Sequence, residues 1–289
     1  MTKHAVLSLD IEDWRHLDYF DAVQCDPEYS MLDGIDVYLE FLDKHALPSS
    51  FFCIGELAAP LGDKLRDIHD LGHDIGSHTF THKRPMTTSV DEFKQELLQS
   101  KDAIEQEISA ESPGFRAPCF SLDRERLDVV RDCGLRYDAS RIDFSSHPLY
   151  GTLDLKGFEE LKDGVYRSGD FFEFEATTTS FMGKKLPISG GGYLRIFPWG
   201  MMSRLVAKRI QEVDFYTLYI HPFELSRRKP PSLKDLSVSW KTKARFRAGL
   251  GGVEKKLTRL VELLKQNGFT FTTYSQLRED LMTTPQESS

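Results

Sequence analysis

Apolar and polar residues alternate at the start of the chain. From Ala5 to Ile11 every second side chain is aliphatic, which is the period of a β-strand with one face in a core. Two more short apolar runs, Ser49 to Gly55 and His73 to Ser77, end at polar residues or glycine. These three segments are therefore predicted to be strands of one sheet.

Helical periodicity fills the intervals between these strands. Apolar residues recur at helical spacing from Ile35 to Leu42 and stop near Pro48, and a second helical pattern runs from Leu57 to Leu71. Ser89, followed by Glu92, has the spacing of a capping box and predicts the start of a third helix.

The alternation continues along the chain. Later strands are predicted at Gly114 to Ala117, at Tyr137, at Phe215 to His221 and at Phe269 to Thr273, and later helices at Arg124 to Asp132, Gly200 to Gln211 and Val253 to Gln266. Repeated strand, helix, strand units predict an α/β fold with a mainly parallel sheet. Closing that sheet into a barrel is the economical arrangement.

One stretch breaks this rhythm. Residues 142–198 are rich in Gly, Ser, Thr and aromatic side chains, and we interpret them as an insertion or an irregular side of the barrel. The chain has no internal repeat and no low-complexity linker. Residues 1–289 are therefore predicted to form a single domain.

Composition narrows the class of protein. The formal net charge of −8 and the lack of a long basic stripe argue against a nucleic-acid partner, because phosphate binding depends on clustered Lys and Arg. We expect a cytoplasmic protein without an integral membrane segment, since the sequence contains neither a signal peptide nor a run of about 20 apolar residues. The four cysteines lack the paired spacing of a zinc ribbon.

Three acidic residues follow the first predicted strand. Strand geometry places Asp10 and Glu12 on the same face, with Asp13 just beyond. Buried carboxylates are unfavourable unless they are paired, hydrogen-bonded or bound to a metal. Glu12 or Asp13 can alternatively cap the following loop.

Two histidines follow the third predicted strand. His78 and His82 are four residues apart, so a helical turn would bring both imidazoles to one ion. Neutral imidazole is a good zinc ligand, and a catalytic zinc has three protein ligands and an open position for water. The spacing alone also occurs by chance on exposed helices.

Further polar residues follow the later strands. Arg116 lies before Pro118 on a stiff turn and can pair with a carboxylate or anchor the loop. Asp138 is another candidate acid, with a cap or turn role as the alternative. His221 ends an apolar strand and can serve as a general acid, because its ordinary pKa is near neutrality, or as a core histidine.

Together these segments resemble the polysaccharide deacetylases of the NodB-homology type, carbohydrate esterase family four. Five motifs occur in the family's order: Ser8-Leu-Asp-Ile-Glu-Asp13, Ser77-His-Thr-Phe-Thr-His82, Phe115-Arg-Ala-Pro-Cys-Phe120, Tyr137-Asp-Ala-Ser140 and Leu218-Tyr-Ile-His221. The motif core spans residues 5–225. The C-terminal part, residues 226–277, resembles a subgroup found in bacterial surface-polysaccharide loci.

The resemblance implies a fold and a set of roles. The fold is a distorted barrel of about seven strand-helix units. Asp10 is then the general base, Arg116 orients it, and His221 is the general acid. His78, His82 and one further acid hold the metal.

The further acid is the point at which this chain departs from the family. Typical members have adjacent acids, whereas Ile11 intervenes here and leaves Glu12 and Asp13 as alternatives. Related branches with an Asp-x-Asp pattern, together with the strand alternation, favour Glu12.

Candidate substrate contacts lie in the irregular stretch and the loops. The glycine run with Gly191 and Tyr193 resembles a segment of the subgroup that lines the substrate cleft, with a plain flexible turn as the alternative. Trp14 is a candidate for stacking on a sugar, although core packing is the commoner role of an aromatic side chain. A backbone N–H near Cys119 or Phe120 is expected to stabilise the oxyanion.

The expected function is metal-dependent hydrolysis of an N-acyl group, most simply N-acetyl, from an amino sugar. Zinc is the expected ion, with cobalt or nickel as alternatives. The expected substrate is an amino-sugar glycan, or a lipid-linked or nucleotide-linked sugar in surface-polysaccharide assembly. The competing hypotheses are a related metal amidohydrolase acting on a cyclic amide or ureide, and a catalytically silent carbohydrate-binding protein of the same fold.

Overall fold

The computed structural model describes residues 2–144 and 147–283, so the predicted bounds 1–289 extend slightly beyond the described residues. The strands are β1 (Lys3–Ile11), β2 (Ser50–Cys53), β3 (Asp74–Ser77), β4 (Gly114–Phe115), β5 (Tyr137–Asp138), β6 (Glu159–Lys162), β7 (Val165–Ser168), β8 (Phe171–Phe174), β9 (Thr178–Phe181), β10 (Lys184–Pro187), β11 (Phe215–Ile220) and β12 (Phe269–Phe271).

The strands form one large curled sheet in the order β11-β1-β2-β3-β4-β5-β8-β7-β6. Every pairing from β11 to β8 is parallel, whereas β8, β7 and β6 are joined antiparallel. β12 pairs with the start of β1, and β9 and β10 form a separate hairpin. The predicted α/β fold of the distorted-barrel type is confirmed, and within the described residues the barrel is open between β11 and β6.

The helices are α1 (Gly34–His45), α2 (Gly62–Asp70), α3 (Val90–Ile108), α4 (Arg124–Asp132), α5 (Gly191–Ile196), α6 (Trp199–Arg209), α7 (Pro222–Leu225), α8 (Trp240–Arg247), α9 (Val253–Gln266) and α10 (Tyr274–Thr283). The predicted bounds of α4 and α9 match the structure. Ser89 caps α3 as predicted, because its side chain accepts a hydrogen bond from the backbone N–H of Glu92. Across the described residues, no helix combines the length and the apolar character needed to cross a bilayer.

The segment before α2 differs from its prediction as one continuous helix. It contains two short 3₁₀ turns, Gly55–Leu57 and Ala59–Leu61, before α2 begins at Gly62. Pro60 lies at the start of the second turn and has no backbone N–H to donate, so an α-helix cannot run through it.

The irregular stretch proves to contain the antiparallel part of the sheet. Residues 159–187 form β6 to β10, and all four side chains of β8 are buried beside β5. Aromatic and β-branched residues favour strands. The strands are only four residues long, which is too short for alternation to mark them.

The largest apolar cluster fixes the strand ends that carry the polar motifs. It packs side chains of α1, α2 and α9 against β1, β2 and β11, and its members include Leu9, Tyr38, Phe51, Leu218 and Leu260. Because β1 to β5 and β11 are parallel, their carboxyl ends meet at one edge of the sheet. The residues that follow these strands are therefore brought together there.

We expect Gly34→Ala to destabilise the fold. Gly34 begins α1 where it touches α7, and an added Cβ would overlap the carbonyl oxygen of Pro222, a backbone atom that cannot move aside. Overpacking of this kind lowers the free energy of unfolding by about 1–3 kcal/mol. Gly200→Ala in α6 is the matched control, because its Cβ would meet no atom within 4 Å. Urea unfolding measures both, and a Gly34→Ala protein as stable as the control would contradict this packing.

Candidate metal centre and cleft

The polar motifs surround a cavity of about 420 Å³ at the carboxyl edge of the sheet. Residues that line it include Asp10 and Glu12 from the end of β1, His78 and His82 from the loop after β3, and His221 after β11. This size and position are typical of a ligand site in a parallel α/β sheet.

Glu12, His78 and His82 converge on one point of the cavity. One ligand-type atom of each lies within 4.8 Å of the others. Glu12 Oε2 is 2.6 Å from His82 Nε2. His78 Nδ1 is 2.7 Å from the carbonyl oxygen of Arg116, to which it can donate a hydrogen bond. That bond leaves the lone pair of His78 Nε2 free for an ion, the arrangement seen in metal-binding histidines.

These three side chains fit a divalent ion. Glu12 Oε2 is buried, and despite its short distance to His82 it has no hydrogen-bond donor in a suitable direction among the described residues. An unsatisfied buried carboxylate oxygen is unfavourable unless a positive charge compensates it. Two imidazoles and one carboxylate are a ligand set used by catalytic zinc, with a position left open.

The charges in this group favour the metal-binding forms of Glu12 and His78. Burial alone would raise the pKa of Glu12, but His82, His221 and His78 together lower it to about 2. Burial lowers the pKa of His78 to about 4, so its imidazole is neutral at physiological pH. Burial acts in the same direction on His82, but Glu12 outweighs it and raises that pKa.

The two histidines are brought together by a loop and not by the helical turn that their spacing suggested. Thr79 and His82 have left-handed backbone conformations, with φ of +61° and +60°. The carbonyl oxygen of Thr79 accepts a hydrogen bond from the N–H of Gly55 at 2.9 Å, and the carboxylate of Glu96 accepts from the N–H of Thr81 at 2.9 Å. Neighbouring elements therefore hold the loop in this shape.

Asp10 and Arg116 form a buried ion pair beside this group. Arg116 Nη1 donates to Asp10 Oδ1 at 2.6 Å, and both side chains are less than 5% exposed. The same guanidinium donates to Ser8 Oγ at 2.8 Å and to the hydroxyl of Tyr274 at 3.0 Å. Asp10 Oδ2 lies 4.0 Å from His221 Nε2, so its second oxygen faces the cavity.

A second buried network orients His221. Its Nδ1 lies 3.3 Å from Glu224 Oε2, and Glu224 Oε1 accepts from Arg195 Nε at 3.1 Å. Burial lowers the pKa of His221, but the carboxylates of Glu224, Glu12 and Asp10 outweigh burial and raise it to about 9. Its imidazole is therefore protonated at neutral pH, with Nε2 toward the cavity.

Glu224 and Arg195 belong to this network, and neither role was predicted from the sequence. Glu224 lies three residues after His221 at the start of a helix, in the position of a capping box, and its carboxylate accepts from the N–H of His221 at 3.2 Å. That spacing is a signal that could have identified Glu224. Nothing local in the sequence links Arg195 to it.

Asp13 does not join the group. Its Oδ1 accepts hydrogen bonds from the N–H groups of Trp14 at 2.8 Å and Met31 at 2.9 Å. The side chain therefore caps the turn that follows β1, which was the alternative role for an acid in this motif.

Three other candidates lie outside the cavity lining. Asp138 is fully buried, hydrogen-bonded to Ser140 at 2.7 Å and paired with Glu173, and burial raises the pKa of both carboxyls. Trp14 is 1% exposed, and its indole packs among apolar side chains in the core. Gly191 is buried against Glu224, where an added Cβ would overlap the carboxylate, and the neighbouring Gly192 lines the cavity instead.

The walls of the cavity are largely aromatic. The predicted contacts Cys119, Phe120 and Tyr193 line it, and other aromatic side chains in the lining include Tyr19, His147, Tyr150, Tyr219 and Phe223. Phe120 packs edge-to-face on Tyr150 and Tyr219, with ring centroids 5.4 and 4.9 Å apart. Such walls suit the apolar faces of a sugar ring or an acyl group.

The turn at Cys119 presents a free backbone donor. Cys119 and Phe120 both have left-handed backbones, with φ of +53° and +52°. The N–H of Phe120 donates to the carbonyl oxygen of Ala117 at 2.9 Å, whereas the N–H of Cys119 has no acceptor among the described residues. Of the two predicted oxyanion donors, only Cys119 is therefore unoccupied.

Two family models match separate parts of the chain. Residues 28–137 match the family described as polysaccharide deacetylase, and residues 140–279 match a domain of unknown function, DUF3473. The first match contains His78, His82 and Arg116, and the second contains His221. Asp10 and Glu12 lie before both matches.

Two relatives share part of the sequence. The chain is 25% identical to the peptidoglycan deacetylase of Helicobacter pylori over 117 residues, which is 40% of each protein. It is 30% identical to the chitooligosaccharide deacetylase of Azorhizobium caulinodans over 98 residues, which is 34% of this chain and 47% of the relative. The chain thus spans less than half the length of either relative.

Two solved structures share the fold. A candidate polysaccharide deacetylase from Mycobacterium smegmatis is similar with a TM-score of 0.60 and 17% identity, over 100% of this chain and 95% of that one. A CE4 family pseudoenzyme from Bacillus anthracis is similar with a TM-score of 0.53 and 15% identity, over 96% of this chain and 66% of that one. At these identities the likeness shows the fold alone.

The buried pair of Asp10 and Arg116 generates a stability prediction. Arg116→Met leaves the Asp10 carboxylate buried without its partner, so we expect it to lower the free energy of unfolding by about 3–5 kcal/mol. The double variant Asp10→Asn with Arg116→Met removes both charges. Its loss of unfolding free energy should be smaller, by at least about 1 kcal/mol, than the sum of the losses of the two single variants. Urea unfolding of all four proteins measures this coupling. Strictly additive losses would show that the two side chains do not interact.

Proposed function

We propose that the chain is a metal-dependent deacetylase that hydrolyses the N-acetyl group of an amino sugar, because residues 28–137 match the polysaccharide deacetylase family. One observation carries the proposal: Glu12, His78 and His82 converge beside the buried carboxylate of Asp10 and the imidazole of His221 in one cleft. Amide hydrolysis needs such an ion site, a base and an acid within reach of the same bond.

We assign Glu12, His78 and His82 as the metal ligands. Zinc suits two imidazoles and a carboxylate, and cobalt or nickel accept the same donors. A divalent ion bound there would supply Lewis-acid polarisation of the amide carbonyl and would lower the pKa of a water molecule.

Asp10 is proposed as the general base. Its Oδ1 is held by Arg116, and its Oδ2 faces the cavity. The guanidinium stabilises the ionised carboxylate and fixes its orientation, so Oδ2 can accept a proton from a water molecule as the water oxygen attacks the amide carbon.

His221 is proposed as the general acid. Its raised pKa keeps the imidazole protonated, and Nε2 is the nitrogen that faces the cavity. When the C–N bond breaks, Nε2 can give its proton to the leaving amine nitrogen. Glu224 is a positioning residue in this scheme, because it holds the opposite ring nitrogen and acts only through His221.

The N–H of Cys119 is proposed to stabilise the negative charge that develops on the carbonyl oxygen. It is a donor without an acceptor in the lining of the cleft, and the unusual backbone of Cys119 holds it there. The thiol is not required for this role. Burial raises the pKa of the Cys119 thiol well above its ordinary value, and its sulfur donates to Asp18 at 2.9 Å.

The substrate is proposed to be an N-acetylated amino sugar within a glycan or a sugar-linked precursor. Two relatives are named as deacetylases of peptidoglycan and of chitooligosaccharide, which are amino-sugar glycans. The aromatic walls give the ring a surface to stack on. We prefer a lipid-linked or nucleotide-linked sugar of surface-polysaccharide assembly as the form in which this amino sugar is bound.

Metal binding distinguishes the two candidate acids. We expect the Glu12→Gln protein to bind zinc at least about tenfold more weakly than the unmodified protein, because a ligand charge is lost. Asp13→Asn is the matched control and should keep its zinc, at a cost in stability of about 1 kcal/mol for the weakened cap. Calorimetric titration of the metal-free proteins with zinc measures both affinities. Loss of zinc by Asp13→Asn with retention by Glu12→Gln would reverse the assignment.

Acetate release tests the chemistry. With zinc-loaded protein and N-acetylglucosamine oligomers, Asp10→Asn and His221→Gln should each lower kcat by about 10²-fold or more, the usual contribution of a positioned acid or base. Circular dichroism and metal content should show that both variants remain folded and loaded. Bound zinc without any acetate from the unmodified protein would favour a cyclic amide or ureide as substrate, and sugar binding without turnover would favour a silent binding protein.

A further inference from the structure

We propose that Arg245 makes the cleft selective for an amino-sugar substrate that carries an anionic group next to the reacting N-acetyl sugar. The inference rests on the proposed function and names the class of substrate for the same site. Arg245 is a cation in the lining of the cleft, and the proposed hydrolysis does not use it.

The charged side chains that line the cleft are almost all satisfied by other protein groups. Asp10 is paired with Arg116, and Glu224 is paired with Arg195. Asp18 is paired with Arg84 at 2.8 Å. Arg245 also lines the cleft, is exposed, and makes no side-chain hydrogen bond or ion pair with any described residue.

The positive charge of Arg245 influences the pKa values of three side chains in the cleft wall. Burial lowers the pKa of His147, and the nearby positive charge of Arg245 lowers it further. Burial raises the pKa of Tyr150 to about 12, and among the groups around it Arg245 opposes that rise. Burial also raises the pKa of Tyr193, and there again Arg245 opposes it. Arg245 is thus close to the aromatic side of the cleft.

The backbone that carries Arg245 is held rigidly. Arg195 Nη1 donates to the carbonyl oxygens of Arg245 at 2.8 Å, Phe246 at 2.8 Å and Ala248 at 2.6 Å. Phe246 is fully buried and stacks on Phe223, with centroids 5.2 Å apart. The end of α8 is therefore fixed against the cleft, while the side chain of Arg245 remains available.

An exposed guanidinium on a fixed backbone, with no partner among the described residues, is suited to a carboxylate or a phosphate. The planar fork binds either anion through two parallel hydrogen bonds. The remainder of the lining includes four acids, Asp10, Glu12, Asp18 and Glu224, and the chain has a net charge of −8. Three of these acids, Asp10, Asp18 and Glu224, are each paired with an arginine, so the positive charge of Arg245 is left available to an anionic group of the substrate.

Two sources of that anion are tested separately. One arm compares an N-acetylglucosamine oligomer with an oligomer of the same length that contains a carboxylate-bearing N-acetylmuramic acid. The other compares the neutral N-acetylamino sugar with its nucleotide diphosphate derivative. The measured quantity is the ratio of kcat/KM for the anionic to the neutral substrate, in the zinc-loaded full chain.

We expect Arg245→Gln to lower this ratio by about tenfold or more in the arm that holds the true anion, since a hydrogen bond to a charged group has that effect. Lys241→Gln is the matched control: it removes one positive charge from the same exposed helix, outside the cleft lining, and should leave the ratio unchanged. An equal fall with Lys241→Gln, or no fall in either arm with Arg245→Gln, would overturn the proposal.

A binding measurement separates this inference from the proposed function. Calorimetric titration with the anionic and neutral deacetylated sugars needs no turnover, and Arg245→Gln should weaken binding of the anionic sugar by about tenfold or more relative to the neutral one. If no N-acetyl substrate is hydrolysed but this difference holds, the deacetylase proposal fails and the anion site stands. If hydrolysis occurs and the difference is absent, the anion site fails alone.

Discussion

A carboxylate and a guanidinium meet in the interior of this protein, where neither is favourable by itself. Asp10 stands at the end of β1 and Arg116 just after β4, and the 2.6 Å contact between them spans two intervening strands. Arg116 also holds the candidate metal site through its backbone, because its carbonyl oxygen lies 2.7 Å from His78 Nδ1. One residue thus orients both the proposed base and a proposed metal ligand. Removing the side chain of Arg116 would leave the buried charge of Asp10 uncompensated. The rest of the site therefore depends on β1 and β4 keeping their present positions in the sheet.

Arg195 repeats this arrangement on the other side of the cleft. Its guanidinium is almost fully buried, and it is satisfied by Glu224 and by three backbone carbonyl oxygens near the end of α8. The carboxylate orients His221, while the carbonyls fix the segment that carries Arg245. In both places a buried arginine with many acceptors joins segments that are distant in sequence. The proposed chemistry and the proposed substrate selectivity therefore share one rigid support.

The sequence predicted the parts of the site that depend on local periodicity. Alternation along β1 placed Asp10 and Glu12 on one face, and the strand ends indicated where the histidines would meet. The sequence could not distinguish a metal-ligand role from a capping role for Asp13. The contact between the Asp13 carboxylate and the N–H of Met31 depends on the path of the following loop. The loop that carries His78 and His82 is held by two hydrogen bonds, from the N–H of Gly55 to the carbonyl oxygen of Thr79 and from the N–H of Thr81 to the carboxylate of Glu96. Both bonds join the loop to residues distant in sequence, so they leave no local pattern. Aromatic residues such as Trp14 have the same appearance in a core and in a cleft, so packing alone separates the two roles.

The position of β1 in the sheet has a consequence for how the protein is made. β1 is the first strand of the chain, yet its hydrogen-bonded neighbours include β11 and β12, and Ser8 Oγ donates to the carbonyl oxygen of Leu218, which lies 210 residues later. While the chain is being synthesised, β1 leaves the ribosome long before these neighbours exist, and one of its edges stays open. Contacts of such sequence separation form slowly. The cleft therefore cannot be complete before β11, which is followed by His221, has been translated.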